Sequence, residues 1–146
     1  MNENDLSRPI FLVEDNPMDL DLTLRAFSRH KLVNQFNIAR DGEEALAYVT
    51  NWDPTQPLPV VILLDLKLPK VDGLEVLHVI KNHPVFQQVP VVVLTTSTED
   101  RDIERAYRLG ANSYIVKPVN FEKFIEVARH IEIYWTILNH PPLPTS

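Results

Sequence analysis

The chain has no cysteine. Disulfides, thiol nucleophiles and thiolate-bound metals are all excluded by that one absence. Glycine is scarce, three in 146 residues, and neither G-x-G-x-x-G nor G-x-x-x-x-G-K-S/T occurs, which argues against the glycine-based nucleotide cradles. No apolar run approaches the roughly 20 residues that a membrane-spanning helix needs. The opening Met1-Asn2-Glu3-Asn4-Asp5 lacks the basic end and apolar core of a secretory leader. Positive charge is also short: the formal net charge is −6, and the basic residues are scattered without an aromatic-plus-basic stripe, so a duplex-binding surface is not expected. The histidines (His30, His78, His83, His130 and His140) lack the spacing of a transition-metal site. The expected compartment is the cytoplasm, with neither nucleic acid nor membrane as partner.

What is present is ordinary in amount and specific in order. Apolar residues make up 45% and charged residues 23%, as in soluble globular domains. The length suits one domain spanning 1–146, with a core at about 9–138, a short polar arm before it and a Pro-containing tail after it. Val60 to Leu64 is a continuous apolar run ending in Asp65, and Pro69 follows. Such a run reads as a strand covered on both faces, as in a parallel sheet. Three further runs behave alike. Pro9 to Val13 ends in Glu14-Asp15, Val91 to Leu94 ends in Thr95-Thr96, and Tyr114 to Val116 ends in Lys117-Pro118. Phe36 and Ile38 alternate with polar neighbours, as on a shorter edge strand.

Helices are expected between these strands. Asn16-Pro17 is a start signal, with Leu20, Leu24 and Phe27 on one face. Asp41 caps a second helix, with Ala45, Leu46 and Val49 turned inward. Asp53 to Pro59 holds three prolines and reads as a surface loop. Asp72-Gly73 reads as a turn before the stripe Leu74, Leu77 and Ile80. Ser97 or Thr98 is the expected cap of a fourth helix with acids in its first turn and a thin apolar face of Ile103, Ala106 and Leu109. Gly110 suits the position just past its end. A final helix is expected from about Asn120 to about Leu138. Strand and helix alternate five times, which favours right-handed crossovers and one parallel sheet with helices on both faces.

In such a sheet the polar ends of the strands share one edge. Glu14, Asp15 and Asp65 then repel one another and need a counter-charge. A hard divalent cation with oxygen ligands fits, and Mg²⁺ uses one or two carboxylates plus a phosphoryl oxygen. Lys117 adds a positive point charge, and Thr95 a hydroxyl donor. A carboxylate beside a metal is a competent nucleophile toward phosphorus, giving an aspartyl phosphate.

The ordered set Leu12-Val13-Glu14-Asp15, Leu64-Asp65-Leu66-Lys67-Leu68-Pro69 with Asp72-Gly73, Leu94-Thr95-Thr96, and Gly110 to Pro118 resembles the receiver domain of two-component response regulators. The likeness runs over roughly Pro9 to Ile131. It implies a flavodoxin-like (βα)5 three-layer sandwich with strand order 2-1-3-4-5. It also implies that Asp65 accepts a phosphoryl group from a histidine kinase with Mg²⁺ required. Glu14 and Asp15 would be the acidic pair, with Glu14 reaching the metal through water, and the Lys67 backbone carbonyl a further ligand. Lys117 would be the active-site lysine, Thr95 the switch hydroxyl and Tyr114 the switch aromatic, turning inward as Thr95 moves. The Lys67 stem is expected to cover the acyl phosphate and slow its hydrolysis.

No output module is expected after the final helix, so signalling would pass through protein contact, without enzymatic activity beyond self-phosphorylation and self-dephosphorylation at Asp65. That helix is more apolar than one buried stripe requires. Phe121, Phe124, Ile125, Ala128 and Trp135 account for a core face, and Val127, Ile131, Tyr134 and Leu138 form a second stripe, read as a homodimer or partner surface. The Pro-rich loop, the Asp65 segment and Tyr134-Trp135 make the chain similar to the single-domain regulators that partner bacterial phytochrome histidine kinases. Two other readings compete. One is a haloacid-dehalogenase-like phosphatase, disfavoured because Lys67 stands where that family has a second acid. The other is a receiver-fold interaction module independent of phosphorylation.

Overall fold

The computed structural model describes residues 8–28, 35–117 and 120–132. Its strands are β1 (Ile10–Val13), β2 (Phe36–Ala39), β3 (Val61–Leu64), β4 (Val91–Thr95) and β5 (Ser113–Val116). Its helices are α1 (Pro17–Ser28), α2 (Gly42–Thr50), α3 (Gly73–Asn82), α4 (Asp100–Arg108) and α5 (Phe121–Glu132), with a single 3-10 turn at Phe86–Gln88 after α3. All strand pairs are parallel, and the order is β2-β1-β3-β4-β5. This is the parallel sheet that the strand runs implied, in the flavodoxin-like order that the family resemblance implied.

The continuous apolar runs have their cause in the two faces of that sheet. Successive strand side chains point to opposite sides. Phe11, Val13, Ile62, Leu64, Val91 and Val93 face α2, α3 and Ala106 of α4, whereas Ile10, Leu12, Val61, Leu63, Val92 and Leu94 face α1 and Ile125 of α5. Each buried Val, Ile or Leu contributes about 1.5–3 kcal/mol relative to exposure, so a polar residue inside β1, β3 or β4 would be costly on either face. The edges are looser. Phe36 is half-buried against Phe27, but Ile38 is 39% exposed.

Helix starts follow local chemistry in α1 to α3. The Asn16 side chain accepts from the Met18 and Asp19 amides, and the Asp41 side chain from that of Glu44. Asp72 is more than a turn residue: it caps α3 by accepting from the Leu74 amide, and Gly73 is already helical. The expected cap of α4 by Ser97 or Thr98 is not what forms. Glu99 holds that position with no side-chain cap bond, because the Ser97 hydroxyl donates to Asp102 Oδ2 at 2.6 Å while accepting from the Glu99 amide at 3.3 Å. At the other end of α4, Gly110 (φ 108°) donates to the Tyr107 carbonyl and Ala111 to that of Ala106, the paired bonds of a Schellman stop. Ile103 and Leu109 are half-buried, so Ala106 is the one fully buried side chain of that helix.

The Pro-rich segment before β3 is exposed except at its end, where Leu58 is buried in the core. Tyr134, Trp135 and Leu138 of the expected final helix lie outside the described residues. So do the side chains of Phe121, Phe124, Val127, Ala128 and Ile131 within α5.

Candidate active site

Register brings the strand ends together. Val13 lies beside Leu64, Leu64 beside Val93, and Thr95 beside Val116. The ladder continues one residue further, with Glu14 N donating to Ala39 O, Asp65 N to Val13 O, and Lys117 N to Thr95 O. Glu14, Asp65, Thr95 and Lys117 therefore stand in a row across the carboxyl edge, all buried, with Asp65 and Lys117 each 7% exposed. Asp15, one residue further out, is half-buried.

The loop after β3 is folded back over its own strand end. Lys67 N donates to Asp65 Oδ1 at 3.1 Å, and Leu68 N to Leu66 O and Val71 N to Pro69 O close two successive three-residue turns. The second has Lys70 at φ 68°, a backbone region that non-glycine residues seldom occupy. Two contacts hold it there: Gly42 N donates to Pro69 O at 3.2 Å, and Lys70 Nζ lies 3.4 Å from Asp41 Oδ2. Gly73 completes the fold-back. A Cβ at that position would lie 2.4 Å from the Asp65 carbonyl oxygen and 2.5 Å from Leu66 Cα. Only a residue without a side chain lets α3 start this close to the acid.

Charge organises the centre. Lys117 Nζ donates to Glu14 Oε1, to Asp65 Oδ2 at 3.2 Å and to Asp19 Oδ2 at 3.1 Å. An ammonium has three protons to give, and here each has a carboxylate. Burial works against the charged form of Lys117, but the Asp65 and Glu14 carboxylates outweigh it and hold the pKa above the ordinary lysine value. Burial also pushes the Glu14 carboxyl up to about 7, helped by the neighbouring Asp65 charge and opposed by Lys117.

Carboxylate oxygens of Glu14, Asp15 and Asp65 all lie within 4.8 Å of one another. The donor set is oxygen only and rich in negative charge, which fits a hard divalent cation and suits neither zinc nor copper. The expected acidic trio is thus assembled. Thr95 is fully buried, and its Oγ1 accepts from Ser97 N at 3.4 Å. Tyr114 is half-buried under α4, and its hydroxyl donates to the Ser97 carbonyl at 2.9 Å. Thr95 and Tyr114 thus meet at Ser97, a joint that no local pattern announced. Asp19 is the other residue missed. It stands on the first turn of α1 and had only the appearance of a favourable charge at a helix start. The signal available was its position one turn after the acidic pair, over the same sheet edge.

The response regulator receiver domain family matches residues 10–129. Among curated relatives, the probable methanogenesis regulatory protein FilR2 of Methanothrix harundinacea is 45% identical over 92% of this chain and 88% of its own length. Response regulator Rcp1 of Synechocystis is 37% identical over 92% of each chain. Its Mn²⁺-bound crystal structure superposes with a TM-score of 0.85, covering 92% of this chain and 99% of that one at 36% identity. The phosphorylated cyanobacterial phytochrome response regulator RcpA gives a TM-score of 0.87 at 39% identity, over 93% of this chain and 99% of that one.

Proposed function

The chain belongs to the response regulator receiver domain family, whose business is phosphorylation-based signalling, and on that footing we propose that Asp65 is its phosphoacceptor. The observation that carries this reading is the row of Glu14, Asp15, Asp65 and Lys117 at one sheet edge, with three carboxylates in metal-binding proximity and one buried ammonium.

The chemistry is a displacement at phosphorus. An Asp65 carboxylate oxygen forms the new P–O bond as the bond to the donor's phosphorylated imidazole breaks, and the imidazole leaves with the electron pair. Lys117 stabilises negative charge beside the acceptor, and the backbone amide of Lys67 fixes the carboxylate's orientation through Oδ1. Glu14, Asp15, Asp65 and the Lys67 carbonyl would hold Mg²⁺, which when bound neutralises charge on the phosphoryl oxygens. The fold-back of the loop restricts the approach of water, and the exposed Lys67 side chain extends that cover, lengthening the phosphorylated lifetime.

Phosphorylation adds about two negative charges and three acceptor oxygens. Thr95 moves to donate to one of them, its loop shifts at Ser97, and Tyr114 follows because its hydroxyl is held by the Ser97 carbonyl. The altered α4–β5 surface is what a protein partner reads, and the thin burial of α4 keeps that shift inexpensive. The donor is a sensor histidine kinase, and the similarity to the phytochrome response regulator RcpA, together with the Pro-rich loop and the Asp65 segment, favours a phytochrome-type kinase. The protein acts in the cytoplasm as a homodimer through Val127, Ile131, Tyr134 and Leu138, a pairing supported by their apolar spacing.

Incubation with acetyl phosphate and Mg²⁺, read by intact mass, tests the acceptor. One stable phosphoryl adduct is expected, lost in Asp65→Asn. Turnover of a small phosphate ester would indicate an enzyme, and no reaction would favour a phosphorylation-independent module. Thr95→Ala should still be phosphorylated but show a blunted conformational response. Sizing the protein with and without a phosphoryl mimic tests the dimer.

A further inference from the structure

Lys117 has three carboxylate partners, and two of them, Glu14 and Asp65, also belong to the trio whose oxygens lie within 4.8 Å of one another. A cation entering that trio would therefore compete with the ammonium for the same two carboxylates. Asp19 is the exception. It accepts from Lys117 Nζ at 3.1 Å yet is not a member of the trio. It reaches the ammonium from α1, at the outer side of the site, with its side chain 32% exposed against 2% for Glu14.

We propose that Asp19 is a positioning residue: the acceptor that keeps Lys117 partnered when a divalent cation takes Glu14 and Asp65 from it. Without Asp19, cation entry leaves a buried ammonium with its partners withdrawn, and an unpaired buried charge is costly. With Asp19, the ammonium keeps one charge-assisted bond and stays at the acceptor carboxylate, ready for a phosphoryl oxygen. Asn16 sets the geometry, because its side chain accepts from the Asp19 amide at 3.1 Å and so fixes the first turn that carries the acid. The inference rests on the reading of the acidic trio as a divalent-cation site.

The test is Mg²⁺ affinity by calorimetry on the full chain at about 0.15 M salt, where screening subdues long-range charge effects. Asp19→Ala is expected to weaken Mg²⁺ binding by about tenfold, the lower end of what loss of a supporting partner costs. Asp19→Asn keeps an acceptor oxygen and should stay within about twofold of the parent chain, by the same reasoning. Equal losses in Asp19→Ala and Asp19→Asn would overturn the proposal, because charge alone would then explain both. A cycle with Lys117→Met gives a second reading: with the ammonium gone, Asp19→Ala should change affinity little, and an undiminished effect would also overturn it. If the parent chain binds Mg²⁺ and Asp19→Ala binds equally well, this inference fails alone. If the parent chain does not bind Mg²⁺, the cation-site reading falls and takes the inference with it.

Discussion

The sheet has a lysine at each of its ends, and their surroundings are opposite in kind. At the carboxyl edge Lys117 meets the carboxylates of Glu14, Asp19 and Asp65. At the amino edge Lys81, at the end of α3, donates to the Val89 carbonyl at 2.9 Å, to that of Gln87 at 3.4 Å and to Asn112 Oδ1 at 3.3 Å. Carboxylates raise the pKa of Lys117 against its burial, whereas burial pushes that of Lys81 down. Neutral carbonyls can only hold Lys81 in place, and the result is a clip between α3 and the starts of β4 and β5. Ionised acids can exchange an ammonium for a metal or a phosphoryl group. The same type of side chain is thus a fastener at one end and the counter-ion of three carboxylates at the other.

Replacing the two lysines breaks the comparison most directly. Lys117→Met should destabilise the chain in EDTA by about 3–5 kcal/mol, because it leaves buried acids unpaired, and saturating Mg²⁺ should restore much of the loss. Lys81→Met should cost about 1 kcal/mol, leave Mg²⁺ affinity unchanged and gain nothing from the metal beyond what the parent gains. Denaturant titrations with and without Mg²⁺ check both, and equal metal rescue in the two variants would abolish the distinction.

Gly73→Ala comes next. An exposed helix position ordinarily gains from alanine, but here the Cβ would meet the backbone of Asp65 and Leu66. A loss of about 3 kcal/mol is expected because backbone cannot step aside as a side chain can, together with slower uptake of phosphate from acetyl phosphate. A stable variant with normal uptake would show that the loop tolerates a wider fold-back.

The pH dependence sharpens the carboxyl edge. Burial and the Asp65 charge push the Glu14 carboxyl up to about 7 in the folded chain, from its ordinary 4.5. Its stabilising contribution is therefore fully present below that ordinary value and is lost as pH rises through 7, an effect on the order of 2 kcal/mol in metal-free protein. The stability of the parent minus that of Glu14→Gln, measured in EDTA, should fall by that amount between about pH 4.5 and pH 8. With Mg²⁺ present the slope should reverse, since the metal requires the ionised carboxylate.

A second small effect belongs to the amino edge. Gly110→Ala places a side chain at φ 108°, with its Cβ 3.1 Å from Lys81 Cγ. Thermal unfolding should report a loss of about 1–2 kcal/mol, with metal binding untouched.

The two ends also differ in how far they could be read from residues alone. Runs such as Val60 to Leu64 dictate buried strands because both sheet faces must be apolar, and each run stops at a polar residue that parallel topology then aligns with the others. Asn16, Asp41 and Gly110 act through bonds within four residues, so their roles are visible in the order of the chain. The cap of α4 escaped this logic because Ser97 had a better partner in Asp102, and Asp72-Gly73 escaped it because a turn and a helix start use the same residues.

Membership of the acidic trio followed from strand order, since β1 and β3 are neighbours and their ends carry Glu14, Asp15 and Asp65. What only the tertiary structure decided are the contacts across long separations that no periodicity encodes. Asp19 reaches Lys117 across 98 positions, Lys81 reaches Asn112 across 31, and Tyr114 joins the Thr95 loop at the Ser97 carbonyl. Apolar pattern and local capping are short-range and survive in the sequence as patterns. Which acid faces which ammonium depends on how far each helix is turned over the sheet, and packing sets that only when the chain is folded.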